Sequence, residues 1–288
     1  MRVPVKKGVA AATAAVAVTA AIFVGSSGGT AAAAVPNLSA FGLIGDGRTM
    51  CAFNTTTPTT LNWVRDVSGF AGGETRLIGL DIRVQDNVLY AVGDKGGIYT
   101  IAVGDEYATL TKVSQLTVAP HGVDFGVDFN PAADRLRVIG DNGQNLRHDL
   151  NTHTTVADSA LNSGGTTAKG VTAAAYTNND LNSDTATTLF DLNTINDQVV
   201  VQAPPNSGPL NATGKVGVDV GANAGLDIFS DLSGGRTTSN TAFAAFVPAG
   251  GARASFYSID VLTGTATKVG DFPSIAPVTE VAVALDAG

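Results

Sequence analysis

Gly126-Val127-Asp128-Phe129-Asn130-Pro131, then Asp134-Arg135-Leu136-Arg137-Val138-Ile139, then Gln144-Asn145-Leu146-Arg147-His148-Asp149-Leu150, is the stretch that decides the fold. Three short apolar runs are separated by Asn-Pro-Ala-Ala-Asp and by Gly-Asp-Asn-Gly. Those separators turn a chain back on itself instead of carrying a helix forward. The first run has counterparts elsewhere: Gly79-Leu80-Asp81-Ile82, Gly217-Val218-Asp219-Val220 and, with Thr in place of Asp, Gly170-Val171-Thr172-Ala173. After each comes a second apolar strand such as Val88 to Val92, then a third such as Ile98 to Ile101 or Phe256 to Asp260. A Thr-rich fourth closes the unit, as in Ala108 to Val113 and Ala266 to Val269.

Units that start roughly 45 residues apart, each with four strand signals, are the mark of propeller blades. From Leu38 onward no stretch keeps the i, i+3, i+4, i+7 apolar spacing of a helix. The first unit, Ala40 to Ile44, Thr49 to Phe53 and Leu61 to Val67, lacks a leading Gly-apolar-Asp strand. Glu280 to Asp286 is an orphan strand at the other end of the chain. The expectation is an all-β closed propeller of about five four-stranded blades, six if an insertion hides one, with the C-terminal strand completing the first blade. A β-sandwich or open solenoid is the competing architecture. Three insertions, Asn178 to Asp184, Pro204 to Pro209 and Ser230 to Asn240, are expected as loops on one face.

The chain has 288 residues, and its start is unlike the rest. Arg2, Lys6 and Lys7 precede an uncharged Ala/Val stretch from Gly8 to Val24, and Ala31 to Ala34 offers an A-x-A cleavage site. That order predicts a signal peptide over residues 1–34, a single mature domain over 35–288, and a secreted protein. Taking those three bases from the 17 Lys+Arg leaves 14 against 25 Asp+Glu. So acidic a mature chain repels phosphate backbones, which argues against nucleic acid as a partner. No other apolar run approaches membrane length, so the mature domain is expected to be soluble and monomeric. Cys51 is the one cysteine; without a disulfide an exported chain must be held by its core, and Cys51 reads as a small buried hydrophobe.

The third-unit motif, together with Leu77 to Arg83, Leu89 to Gly93, Ala175-Tyr176-Thr177-Asn178-Asn179 and Pro204-Pro205-Asn206, resembles a bacterial family labelled domain of unknown function 4394. The resemblance covers nearly the whole mature chain. It implies an exported, β-rich, propeller-like domain and assigns no reaction. After Arg147 the chain departs from it: His148-Asp149-Leu150-Asn151-Thr152-His153 stands where an Asp-Thr-Gly turn is usual.

Two constellations could carry chemistry. Asp81, Asp128, Asp219 and Asp286 occupy equivalent positions of the strands assigned innermost, with Thr172 as the exception. Brought together around a channel they could hold a hard cation such as Ca²⁺; the plainer reading is that each caps a turn of its own blade. The second is a polar set in the third unit, Asp128, Asn130, Arg135, Arg137, Asn145 and Arg147. Arg135 and Arg137 are two apart and share one strand face, and paired guanidinium groups suit carboxylates or sugar hydroxyls. The plainer reading here is a salt-bridge network with Asp128, Asp134 and Asp141. Nucleophile signatures are missing: there is no G-x-S-x-G and no H-E-x-x-H. His148 and His153 are expected at the surface, and His121 near a channel mouth. Two functions stay open: an extracellular binding or scaffold domain for a glycan or protein ligand, or a hydrolase or lyase acting on carbohydrate or ester with Asp and Arg residues at the channel.

Overall fold

The computed structural model describes residues 35–287, so the expected signal peptide lies outside the described residues. Among the described residues there is no α-helix and no helix long and apolar enough to cross a membrane. The first unit supplies β1 (Ser39–Ile44), β2 (Thr49–Asn54) and β3 (Leu61–Ser68). The second is β4 (Leu77–Arg83), β5 (Val88–Gly93), β6 (Gly97–Val103) and β7 (Tyr107–Gln115). The third is β8 (Phe125–Asn130), β9 (Arg135–Gly140), β10 (Asn145–Asp149) and β11 (Thr154–Ala157). A small hairpin, β12 (Asn162–Ser163) and β13 (Thr166–Thr167), precedes the fourth: β14 (Val171–Tyr176), β15 (Leu189–Asn193), β16 (Gln198–Gln202) and β17 (Leu210–Lys215). The fifth is β18 (Val220–Ser233), β19 (Arg236–Pro248), β20 (Ser255–Ile259) and β21 (Ala266–Asp271), and β22 (Val278–Val283) ends the chain.

Each unit is an antiparallel meander, as its turn residues dictate. The C-terminal β22 pairs antiparallel with β1, giving the first unit the order β22-β1-β2-β3. A short parallel pairing, Asp66 to Ser68 of β3 against Tyr107 to Thr109 of β7, joins the first and second units into one eight-stranded sheet. The leading strands β4, β8, β14, β18 and β22 pack side by side in that order, and β22 also packs on β4. The architecture is all-β and propeller-like.

Glycine sets how closely those leading strands approach. A Cβ on Gly126 would lie 2.6 Å from Ala174 N, and one on Gly225 2.6 Å from the Glu280 Cα, so a side chain at either position would force neighbouring units apart. Five apolar layers fill the seams between successive units. Cys51 is buried in the seam of the fifth and first units, where burial pushes its thiol up to about 12, as suits an inert hydrophobe. The seam of the third and fourth units has the smallest apolar layer, and polar side chains occupy the rest of it.

One insertion is not a loop. Residues 230–240 extend β18 and β19 into a long hairpin, because cross-strand pairing continues from Phe229↔Thr241 out to Ser233↔Arg236. Loop 178–184 docks on it, with Asp180 Oδ2 accepting from Thr237 N and Arg236 paired with Asp184. The pairing of β22 makes a direct forecast. Deleting residues 278–288 removes the buried Val278, Val281, Ala282 and Val283 and strips β1 of a partner. We expect a loss on the order of 5 kcal/mol, read as a large fall in melting temperature; an unchanged melt would refute it.

Candidate functional site

The meander places Asp128, Arg137 and Arg147 in register across β8, β9 and β10, all on the face turned toward the fourth unit. Leu136 and Val138, on the opposite face, enter the apolar seam with the second unit. Strand alternation alone therefore sends one guanidinium group into the interior, and its partners must come from the next unit.

Arg137 is 2% exposed. Its Nε donates to Tyr176 Oη at 3.2 Å, Nη1 to Asn145 Oδ1 and to Asp158 Oδ2, both at 2.8 Å, and Nη2 to Asn206 Oδ1 at 2.8 Å. Asn145 in turn donates to the carbonyls of Ser159 and Pro205. That anchors the short 3₁₀ turn Pro205–Ser207 over the guanidinium. Arg147 grips the same Asp158 carboxylate with Nε at 3.0 Å and Nη2 at 3.1 Å, which raises the Arg147 pKa. Arg135 pairs instead with Asp149 at 2.9 Å. The expected partners Asp134 and Asp141 are elsewhere: Asp134 is held by Arg83, and Asp141 accepts from Val123 N.

Above this network lies a cleft of about 270 Å³, lined by Asn130, Arg135, Arg137, Arg147, Tyr176 and Asn206 together with Ala133, Thr187 and Pro205. Four residues of the sequence-derived set thus share one wall. Asn145 lies behind it, and Asp128 points toward the leading strands. Two guanidinium groups share the single Asp158 carboxylate, so the wall carries positive charge in excess of its close counter-ions. Residues lining the cleft include no Asp or Glu. Asp191, on β15, is fully buried in the same seam with neither carboxylate oxygen hydrogen-bonded, and burial raises its pKa well above the carboxylate range.

The aspartate constellation assembles differently from the expectation. Asp81 and Asp128 converge, but their third member is Asp227; one oxygen from each lies within 4.8 Å of the others. Asp219 is exposed at the start of β18, eight residues before the strand reaches the level of the ring, after a bulge between Val220 and Ala224. Asp286 follows the end of β22 and accepts from Leu232 N. The corresponding position of β22 is Ala282, and that of β14 is Ala175, not Thr172.

Hydrogen bonds establish these equivalences. Asp81 Oδ2 accepts from Phe129 N, Asp128 Oδ1 from Tyr176 N, and Asp227 Oδ2 from Val283 N: each carboxylate ties to the amide one past the equivalent position of the next leading strand. Where the preceding strand offers Ala, the amide turns to its own Asp instead, Ile82 N to Asp81 Oδ1 and Ile228 N to Asp227 Oδ1. Three carboxylates satisfy five amides. The aspartates therefore lock neighbouring strands together; they do not cap turns of their own units. Burial first, and mutual repulsion second, raise Asp81 and Asp128 well above the carboxylate range, and burial lifts Asp227 to about 6.

His121 and His153 are exposed, but His148 is fully buried against the second unit, contrary to expectation, because β10 turns it inward beside Ser114.

Among solved structures, chains similar to this one include one from a nidogen/laminin complex, with 9% identity and TM-score 0.48 over 87% of this chain and 99% of that one. Another is the WD40 domain of coronin from Toxoplasma gondii, with 12% identity and TM-score 0.38 over 79% of this chain and 55% of that one. A third is an auxiliary nutrient binding protein from Bacteroides thetaiotaomicron, with 10% identity and TM-score 0.44 over 79% and 57%. No protein with a curated description matches the chain by sequence. A family model described as domain of unknown function (DUF4394) matches residues 49–282, and with four-fifths of its length so matched the chain belongs to that family.

Proposed function

We propose that the chain is an exported, closed five-bladed β-propeller that binds an acidic extracellular glycan in the cleft between its third and fourth units, without acting on it chemically. Closure is supported by the pairing of β22 with β1 and by the circuit of packed leading strands from β4 round to β22 and back. Export rests on the leader's basic start, its apolar stretch and its Ala-rich end. The observation that carries the ligand is Arg137: a buried guanidinium group, held on four acceptors, forms the floor of a cleft whose two inner arginines share one carboxylate. Such a wall complements a uronate carboxylate, and Asn130, Thr187 and Asn206 offer partners to sugar hydroxyls. Glycoside hydrolysis ordinarily needs two carboxyl groups flanking the bond, and none lines this cleft; that favours binding over catalysis here. The axial aspartates are read as strand locks engaged by backbone amides, with Asp81 and Asp128 holding protons, in preference to a Ca²⁺ site.

Titration calorimetry of the chain from Val35 onward, with uronate-containing and neutral oligosaccharides of equal length, tests the reading. Acidic sugars should bind and neutral ones should not, binding should weaken with salt, and Arg147→Ala should lower affinity by about tenfold or more. Equal binding of both classes, or of neither, would overturn it.

A further inference from the structure

At the seam of the second and third units, away from both the cleft and the axis, two imidazoles converge on one hydroxyl. Ser114 Oγ, near the end of β7, lies 2.8 Å from His148 Nε2 and 2.9 Å from His153 Nδ1. The other ring nitrogen of His148, Nδ1, is 2.9 Å from Thr155 Oγ1, which also accepts from Thr117 N at 2.8 Å. Ser114, Lys112, Gln115, Thr117 and His153 border an open depression of about 420 Å³.

We propose that Ser114 is a nucleophile, with His148 as its general base and Thr155 as the positioning residue, serving acyl transfer from small esters that enter the depression. The arrangement meets the requirements of an activated hydroxyl: nucleophile to base, and base to orienter, each within hydrogen-bond reach. Thr117 N–H donates to Thr155 Oγ1, and we assign the second lone pair of that oxygen to His148 Nδ1–H, 2.9 Å away. That tautomer leaves Nε2 free to accept the serine proton. Burial, and then the neighbouring His153, depress His148 to about 4, so its imidazole is unprotonated at neutral pH.

In the first step Ser114 Oγ attacks the acyl carbon while its proton passes to His148 Nε2. The imidazolium returns that proton to the departing alkoxide as the C–O bond breaks, leaving acyl-Ser114 and an alcohol. Water, deprotonated by the same Nε2, then attacks the acyl carbon; the acid leaves and Ser114 regains its proton. Nothing in the linear sequence marks this group, because Ser114 lies on a strand and its two histidines are 34 and 39 positions away.

The test is covalent labelling of the chain from Val35 onward with a fluorophosphonate, followed by peptide mapping. A single adduct on Ser114 is expected, absent from Ser114→Ala and from heat-unfolded protein, with p-nitrophenyl acetate turned over by the wild type alone. His148→Gln should label at least 100-fold more slowly; if it fails to fold, mapping on the wild type still decides. No adduct at Ser114, or an adduct formed equally fast without His148, would overturn the proposal. This centre shares no residue with the glycan cleft, so each reading fails without the other.

Discussion

Arg137→Met should lower stability by about 3–5 kcal/mol, because it removes one partner from a buried ionic network and leaves the rest in place. Tyr176 Oη, Asn145 Oδ1 and Asn206 Oδ1 each lose a donor, and Asp158 keeps only Arg147. Met fills much of the volume, so lost packing is a minor part of the effect. For a domain of this length the change corresponds to a fall of roughly 10 °C in melting temperature. Arg135→Met is the internal comparison: Arg135 pairs at the rim with Asp149, and its melt should stay close to wild type. Melts of the two variants side by side check the claim. An Arg137 variant as stable as the Arg135 one would show that the seam is held by its apolar layer alone.

Stability should also be higher at pH 5 than at pH 8, the reverse of what paired surface carboxylates produce. Asp81, Asp128, Asp191, Asp227 and Glu280 are buried and have raised pKa values, burial being the first cause in each. A raised carboxyl binds more protons folded than unfolded, so its stabilisation is complete below the unfolded value and is lost as pH rises through the folded one. For Asp227, lifted from 3.8 to about 6, that loss falls between pH 4 and 6 and is about 3 kcal/mol. His148 opposes it. Its pKa falls from 6.5 to about 4, so it contributes stability above pH 6.5 that is lost as pH drops through 4, again about 3 kcal/mol. Between pH 5 and 8 only part of each falls in range, about 1.4 kcal/mol lost for Asp227 and about 2 kcal/mol gained for His148. The two nearly cancel, and the four other carboxyls decide the sign. Thermal melts from pH 5 to 8 should therefore show a declining midpoint. Asp227→Ala, which leaves Val283 N and Ile228 N without their acceptor, should destabilise at pH 5 and less so at pH 8. Millimolar Ca²⁺ at pH 8 should leave the wild-type midpoint unchanged, because amide hydrogens already engage these carboxylates; a rise would assign them an ion in place of protons. A midpoint that climbs from pH 5 to 8 would mean that the buried carboxyls are ionised and paired in a way the geometry does not show.

The strand character of the chain, its four-stranded unit and the orphan strand that pairs with β1 were all legible in the sequence. Each is written in local pattern: period-two apolar runs, Gly/Asn/Asp turns, and a unit that recurs. The polar wall of Asn130, Arg135, Arg137 and Arg147 was legible for the same reason, since spacing along strands and hairpin register place side chains on faces. Asp227 was within reach of sequence reasoning: Gly225-Leu226-Asp227-Ile228 repeats Gly79-Leu80-Asp81-Ile82 residue for residue, while Gly217-Val218-Asp219-Val220 matches only in pattern. Choosing between them needs the length of the approach to the strand, and the bulge after Val220 conceals it.

What joins one unit to the next was decided only by tertiary structure. Asp158 and Asn206 reach Arg137 from outside its hairpin, 21 and 69 positions away. Amides of one leading strand take carboxylates of the one before, and Ser114 meets His148 and His153 from another sheet. A repeat prescribes the inside of a unit through short-range pattern. Contacts across a seam depend on how closely neighbouring sheets approach and on which loops fold over them, and these are properties of the packed assembly that no local spacing records.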